Sequence, residues 1–172
     1  WNVYNTGLTS AANVIYLDQT VDQATDATSF NSTDPTSSVF SVGSANGTNS
    51  SGNGMIAYCF RSVPGVCSVG SYEGNNNADG TYVNLGFKPA WVMTKTIDAS
   101  GAWGIYDSKR DPDNPVQQRL FADADSAEDT DGEQMDFLSN GFKLRKTGGH
   151  NNNNETYIYL AMAEIGPNGA YP

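Results

Sequence analysis

Seven carboxylates fall within the fourteen residues from Asp123 to Asp136, the densest run of chemically capable side chains in the sequence. Clustered oxygen ligands are what Ca²⁺ takes. Asp123, Asp125, Asp129 and Asp131 are therefore the candidate metal ligands, with calcium the one cofactor the residues suggest. Their spacing departs from a twelve-residue D-x-D-x-D-G loop, and a solvated acidic hairpin tip is the competing reading. Glycoside hydrolysis would need two carboxylates held roughly 5 Å or 6.5–9.5 Å apart. Sandwich glucanases supply them as E-x-D-x-x-E on one strand, a motif missing here. Glu128, Asp129, Asp131 and Glu133 lie in a Gly-containing stretch that does not read as a strand.

Nucleophilic catalysis fares no better. The one histidine, His150, sits between Gly149 and an Asn run. A Ser-His-Asp arrangement would have to use it, yet no G-x-S-x-G occurs, and His150 reads as an exposed loop residue. Cys59 and Cys67 lie on two predicted arms around Pro64-Gly65. A cross-strand disulfide is conceivable, but a symmetric turn there puts Ser62 opposite Cys67, and two buried free thiols are the simpler reading. Two cysteines alone make no zinc site. The chain reads as non-enzymatic, with no ligand-binding residues identifiable. Four N-x-S/T sequons, at Asn31, Asn46, Asn49 and Asn154, are what chance yields in so Asn-rich a sequence.

The elements that would position these groups are short. Apolar runs are separated by Gly, Asn or Asp clusters at intervals of roughly 8–12 residues, the pattern of an all-β sandwich. Predicted strands are Val14–Asp18, Ser38–Val42, Met55–Val63, Val66–Tyr72, Thr81–Phe87, Ala90–Ile97, Trp103–Asp107, Arg119–Ala122, Met135–Leu138, Gly141–Arg145 and Tyr157–Glu164. Asn140-Gly141 predicts a type I′ hairpin. Met55–Phe60 is almost wholly apolar and reads as a strand covered on both faces. Only Pro115–Glu128 tolerates a helix, and it suits a strand equally well. The Asn runs at 75–77 and 151–154 suit exposed hairpin tips. The three tryptophans and nine tyrosines mostly fall in strand runs and read as core or inter-chain packing. The fold class is all-β, a two-sheet β-sandwich.

Charge narrows the partners. The 172 residues carry 9 basic and 19 acidic side chains, a formal net charge of −10. Arg61 is the only basic residue among the first 87, so no basic stripe exists to engage nucleic acid. No stretch approaches the ~18–20 apolar residues that span a bilayer, which argues against membrane insertion, and no signal-peptide pattern is visible. The length fits one domain, residues 1–172, and Trp1 at the first position suggests a piece of a longer polypeptide.

Several segments together resemble a domain that recurs in structural proteins of marine bacteriophages, including those infecting cyanobacteria. They are Asp34–Gly43 (DPTSSVFSVG), Ile56–Phe60 (IAYCF), Gly70–Asn75 (GSYEGN), Gly86–Ala90 (GFKPA), Trp103–Asn114, Asp136–Arg145 (DFLSNGFKLR) and Thr156–Glu164 (TYIYLAMAE). They follow the family's order and cover nearly the whole chain. The resemblance implies a concanavalin-like jelly roll on a tail fibre or capsid appendage of the virion surface. Its role there would be assembly, host-surface attachment, or both. Implied partners are other virion proteins, further copies of the chain, with trimers favoured, and a host surface glycan. The family brings no catalytic residues, and it usually has a small polar residue where Cys67 stands. The alternative function is a lectin-like carbohydrate-binding module assisted by calcium.

Overall fold

The computed structural model describes residues 1–130 and 135–164. Within them the chain is an all-β sandwich of antiparallel sheets. Its strands are β1 (Asn2–Val3), β2 (Asn13–Tyr16), β3 (Ala24–Thr25), β4 (Cys67–Glu73), β5 (Tyr82–Asn84), β6 (Pro89–Thr96), β7 (Gly104–Asp107), β8 (Leu120–Phe121), β9 (Met135–Leu138), β10 (Gly141–Leu144) and β11 (Thr156–Ala163). A single helical turn, α1 (Asn46–Asn49), interrupts a polar loop.

The largest sheet runs β4-β11-β6-β7-β8, with β11 held between β4 and β6. Successive side chains of a strand point to opposite faces. Tyr157, Tyr159 and Ala161 therefore share one face with Tyr72, Val92 and Tyr106. That face packs on Val83, Met135, Phe137, Phe142 and Leu144 of the β5-β10-β9 sheet and its flanks. Ile158 points the other way and joins Leu8, Ile15, Ile97 and Trp103 beneath the small β1-β2-β3 sheet. Coverage on both faces explains why β11 is nearly all apolar. This N-terminal sheet is a third layer that a two-sheet reading leaves out.

Two predicted strands are not strands. Ser38–Val42 is closed into a local turn: Thr36 N–H donates to Val39 O at 2.8 Å, and Thr36 Oγ1 accepts Val39 N–H at 3.1 Å. Such side-chain and turn bonds compete with a sheet ladder. Met55–Phe60, expected to be covered on both faces, lies outside any strand and is exposed. The Pro64-Gly65 turn is one residue longer than a symmetric one, so Val63 rather than Ser62 stands opposite Cys67. Pro115–Glu128 forms no helix; it carries β8 and the bridges Val116↔Met135 and Arg119↔Asp129. The β9–β10 hairpin has the expected two-residue connection, Ser139-Asn140, but neither residue has a positive φ, so the turn is not type I′.

Candidate functional site

The described carboxylates of the acidic stretch do not converge on one point. Asp123 turns inward, where its two carboxylate oxygens accept Trp103 N–H at 3.2 and 3.3 Å. Asp129 receives Arg119 Nη2 at 2.7 Å, and the same two residues exchange backbone hydrogen bonds at 2.9 Å in both directions. Glu128 accepts Arg110 Nη1 at 2.6 Å. Asp125 is exposed, and Asp131 lies outside the described residues. Among the described residues no three His, Cys, Asp or Glu side chains are grouped as a metal ion would need. The spacing that brought these carboxylates to notice thus serves different partners.

His150 overturns its expectation of exposure. It is buried, with its ring stacked on Tyr157 at 5.9 Å between centroids and edge-on to Tyr106 at 6.2 Å. Its Nδ1 hydrogen-bonds Thr94 Oγ1, and its backbone oxygen accepts Tyr72 O–H at 2.9 Å. Gly104 lies against the ring: a Cβ there would stand 2.7 Å from His150 Cε1. Burial, reinforced by the Arg119 and Lys95 charges, pushes the imidazole pKa down to about 3. A ring held neutral and hemmed in by aromatics packs the interior.

The neighbouring Asn151 departs from the exposed-tip reading, while Asn153 and Asn154 of the same run are exposed as expected. Asn151 is fully buried, and its Nδ2 donates to Asn77 O at 2.9 Å, Lys146 O at 3.0 Å and Asn75 Oδ1 at 3.1 Å. Its Oδ1 accepts Asn75 N–H at 3.1 Å. One amide therefore clasps the two Asn-rich turns together. Composition hides this, because an Asn that joins two loops looks the same in sequence as one facing water.

Lys95 is a third buried polar group that the sequence does not reveal. Strand alternation puts it on the face of β6 toward the N-terminal layer. Its Nζ donates to Val21 O and Thr96 O at 2.9 Å and to Thr20 O at 3.3 Å. Burial draws its pKa down to about 8, opposed by the charges of Asp123, Asp22 and Glu155.

What the surface does offer is apolar. Val39, Phe40, Val42, Met55, Ile56, Tyr58 and Phe60 are all exposed, Tyr58 by 68% and Ile56 by 65%. The exposed Trp1 approaches Tyr58 at 6.0 Å between ring centroids. Exposed apolar groups on an acidic domain mark an interaction surface when they gather in a patch. Cys59 is exposed and Cys67 half-buried, both as free thiols, so the buried-thiol reading is corrected and no disulfide forms. No described helix is long and apolar enough to cross a membrane.

A family model described as "Domain of unknown function (DUF7483)" matches residues 1–166, and the chain belongs to that family. No curated protein and no solved structure matches it.

Proposed function

We propose that this domain is a non-enzymatic structural part of a bacteriophage virion, on a tail fibre or capsid-surface appendage. It serves assembly, host-surface attachment, or both, alongside other virion proteins and further copies of the chain. The observation that carries this reading is the exposed apolar run Met55–Phe60, together with Val39, Phe40 and Val42, on a sandwich of net charge −10. Such groups favour protein partners, while the acidic surface keeps appendages soluble and apart. The buried, neutral His150 and the dispersed carboxylates fit a scaffold better than a reaction centre. A calcium-assisted lectin draws less support, since Asp123 and Asp129 are already engaged by Trp103 and Arg119. Antibodies raised against the domain test the reading on purified particles. Labelling of the particle surface is expected, and particles that carry no trace of the chain would overturn it.

A further inference from the structure

The hairpin around Pro64-Gly65 is closed by one rung only. Val63 N–H donates to Cys67 O at 2.9 Å and Cys67 N–H to Val63 O at 3.1 Å, with Gly65 at φ 73° making the turn. Just beyond, Ser62 Oγ accepts Val69 N–H at 3.0 Å and donates to Val69 O at 3.3 Å, where a backbone rung would otherwise form. The chain then leaves. Among the described residues, no backbone group of Gly54–Phe60 makes a hydrogen bond.

The strand it leaves behind is an edge. One side of β4 pairs with β11, Tyr72 opposite Tyr157 and Gly70 opposite Tyr159. The N–H groups of Cys67 and Val69 point to the other side, so the alternation of an antiparallel ladder aims the N–H and C=O of Ser71 there as well. The open stretch ends at Glu73, whose carbonyl accepts Thr81 Oγ1 at 2.6 Å. An uncovered edge beside an unpaired apolar segment invites strand addition.

We infer that Tyr58–Ser62 is a strand poised to add to the β4 edge of its own chain, converting the five-stranded sheet to six. The Val63–Cys67 rung fixes the register: Arg61 pairs with Val69 and Cys59 with Ser71, while Phe60 falls opposite Gly70 and Tyr58 opposite Tyr72. The pattern of side chains agrees with this register. Ile56, Tyr58 and Phe60 share one face, and Ala57, Cys59 and Arg61 the other. The aromatic face lands on the core side of β4. There Tyr72 already stacks on Tyr157 at 5.2 Å, and Tyr58 extends that row of rings. Opposite Phe60 stands a residue with no side chain, with the Tyr159 ring lying over it.

A groove of about 200 Å³ lies at this same edge, bounded by Ser62, Cys67, Ser68, Leu85 and Gly86. It opens beside the position that the register assigns to Phe60. Zipping the hairpin withdraws Tyr58 and Phe60, 68% and 53% exposed, from solvent. Closing the hairpin therefore decides whether this part of the apolar surface is available to a neighbour. The own-chain partner is favoured because the turn is already made and the added loop is short.

Nuclear magnetic resonance on the isotope-labelled full chain tests the register directly. The expected result is Hα–Hα contacts between Tyr58 and Tyr72 and between Phe60 and Gly70. Amide exchange should be slowed at Cys59 and Arg61 but not at Tyr58 and Phe60. These contacts should persist unchanged when labelled and unlabelled chains are mixed. Phe60→Asp should abolish them while the Phe137–Phe142 contact across β9 and β10 remains, showing that the sandwich is still folded. Fast exchange at all four amides with no such contacts would overturn the proposal. So would contacts found only between labelled and unlabelled copies, which would signify strand exchange between chains.

Discussion

His150 and Thr94 meet in the interior of the sandwich, imidazole Nδ1 against hydroxyl Oγ1, in space that Gly104 leaves open. The histidine arrives from a loop and the threonine from β6, so this contact ties the loop after β10 to the large sheet.

Stability should therefore fall in acid. The folded ring takes a proton only near pH 3, whereas in the unfolded chain it does so from about 6.5. Between those values the unfolded state binds more protons, and stability drops as pH falls through the window. Urea midpoints measured from about pH 7 to about pH 4 should decline for the wild type. His150→Gln should start lower by about 1–3 kcal/mol and show a shallower decline. Equal slopes in the two proteins would contradict the buried neutral ring.

Lys95→Met should cost about 2–4 kcal/mol, since it strips a donor from the buried carbonyls of Thr20, Val21 and Thr96. The same burial predicts a signature in alkali. The folded amine loses its proton near pH 8, ahead of its ordinary value of 10.5. The unfolded state then binds more protons in that interval, so wild-type stability gains with pH relative to Lys95→Met. Denaturation curves across the interval check both effects.

The core prediction concerns Phe142. It is fully buried and meets Tyr72 and Tyr159 edge-on, each at 5.8 Å between ring centroids. Phe142→Ala should destabilise by about 3–5 kcal/mol through lost transfer energy and the cavity left behind. Thermal unfolding reads this directly, and a loss under 1 kcal/mol would mean that the two main sheets do not pack through this ring.

Asp129 and Asp125 should behave differently despite lying in one acidic run. Asp129→Asn breaks the ion pair with Arg119, whose guanidinium lies 4.5 Å over the Phe121 ring, and should cost about 1 kcal/mol. Asp125→Asn, at an exposed position, should stay within about 0.5 kcal/mol of wild type. Excess calcium should leave the wild-type midpoint unchanged. A calcium-dependent rise lost in both variants would restore the shared metal site.

Where the sequence was informative, local chemistry decided the structure. Met135–Leu138 is recovered residue for residue because the Ser139-Asn140 connection leaves one short pairing, and the apolar run of β11 is buried on both faces. The same signal misleads at Met55–Phe60: an apolar run reports affinity for a partner and says nothing of whether the partner is in place. The interior polar groups were illegible for the opposite reason. His150, Asn151 and Lys95 are satisfied by residues 56, 76 and 75 positions away, respectively, and no local pattern encodes such pairings. The candidate calcium ligands were conspicuous only as composition, because spacing in sequence did not reveal that Trp103 and Arg119 claim two of them.

The virion proposal is tested most directly by a cryo-electron microscopy map of intact particles from the source that encodes this chain. The prediction is density for the sandwich on a tail fibre or capsid projection, with the Val39–Val42 or Met55–Phe60 surface against a neighbouring chain or directed at the host. A fully resolved particle with no such domain anywhere on its surface would contradict it.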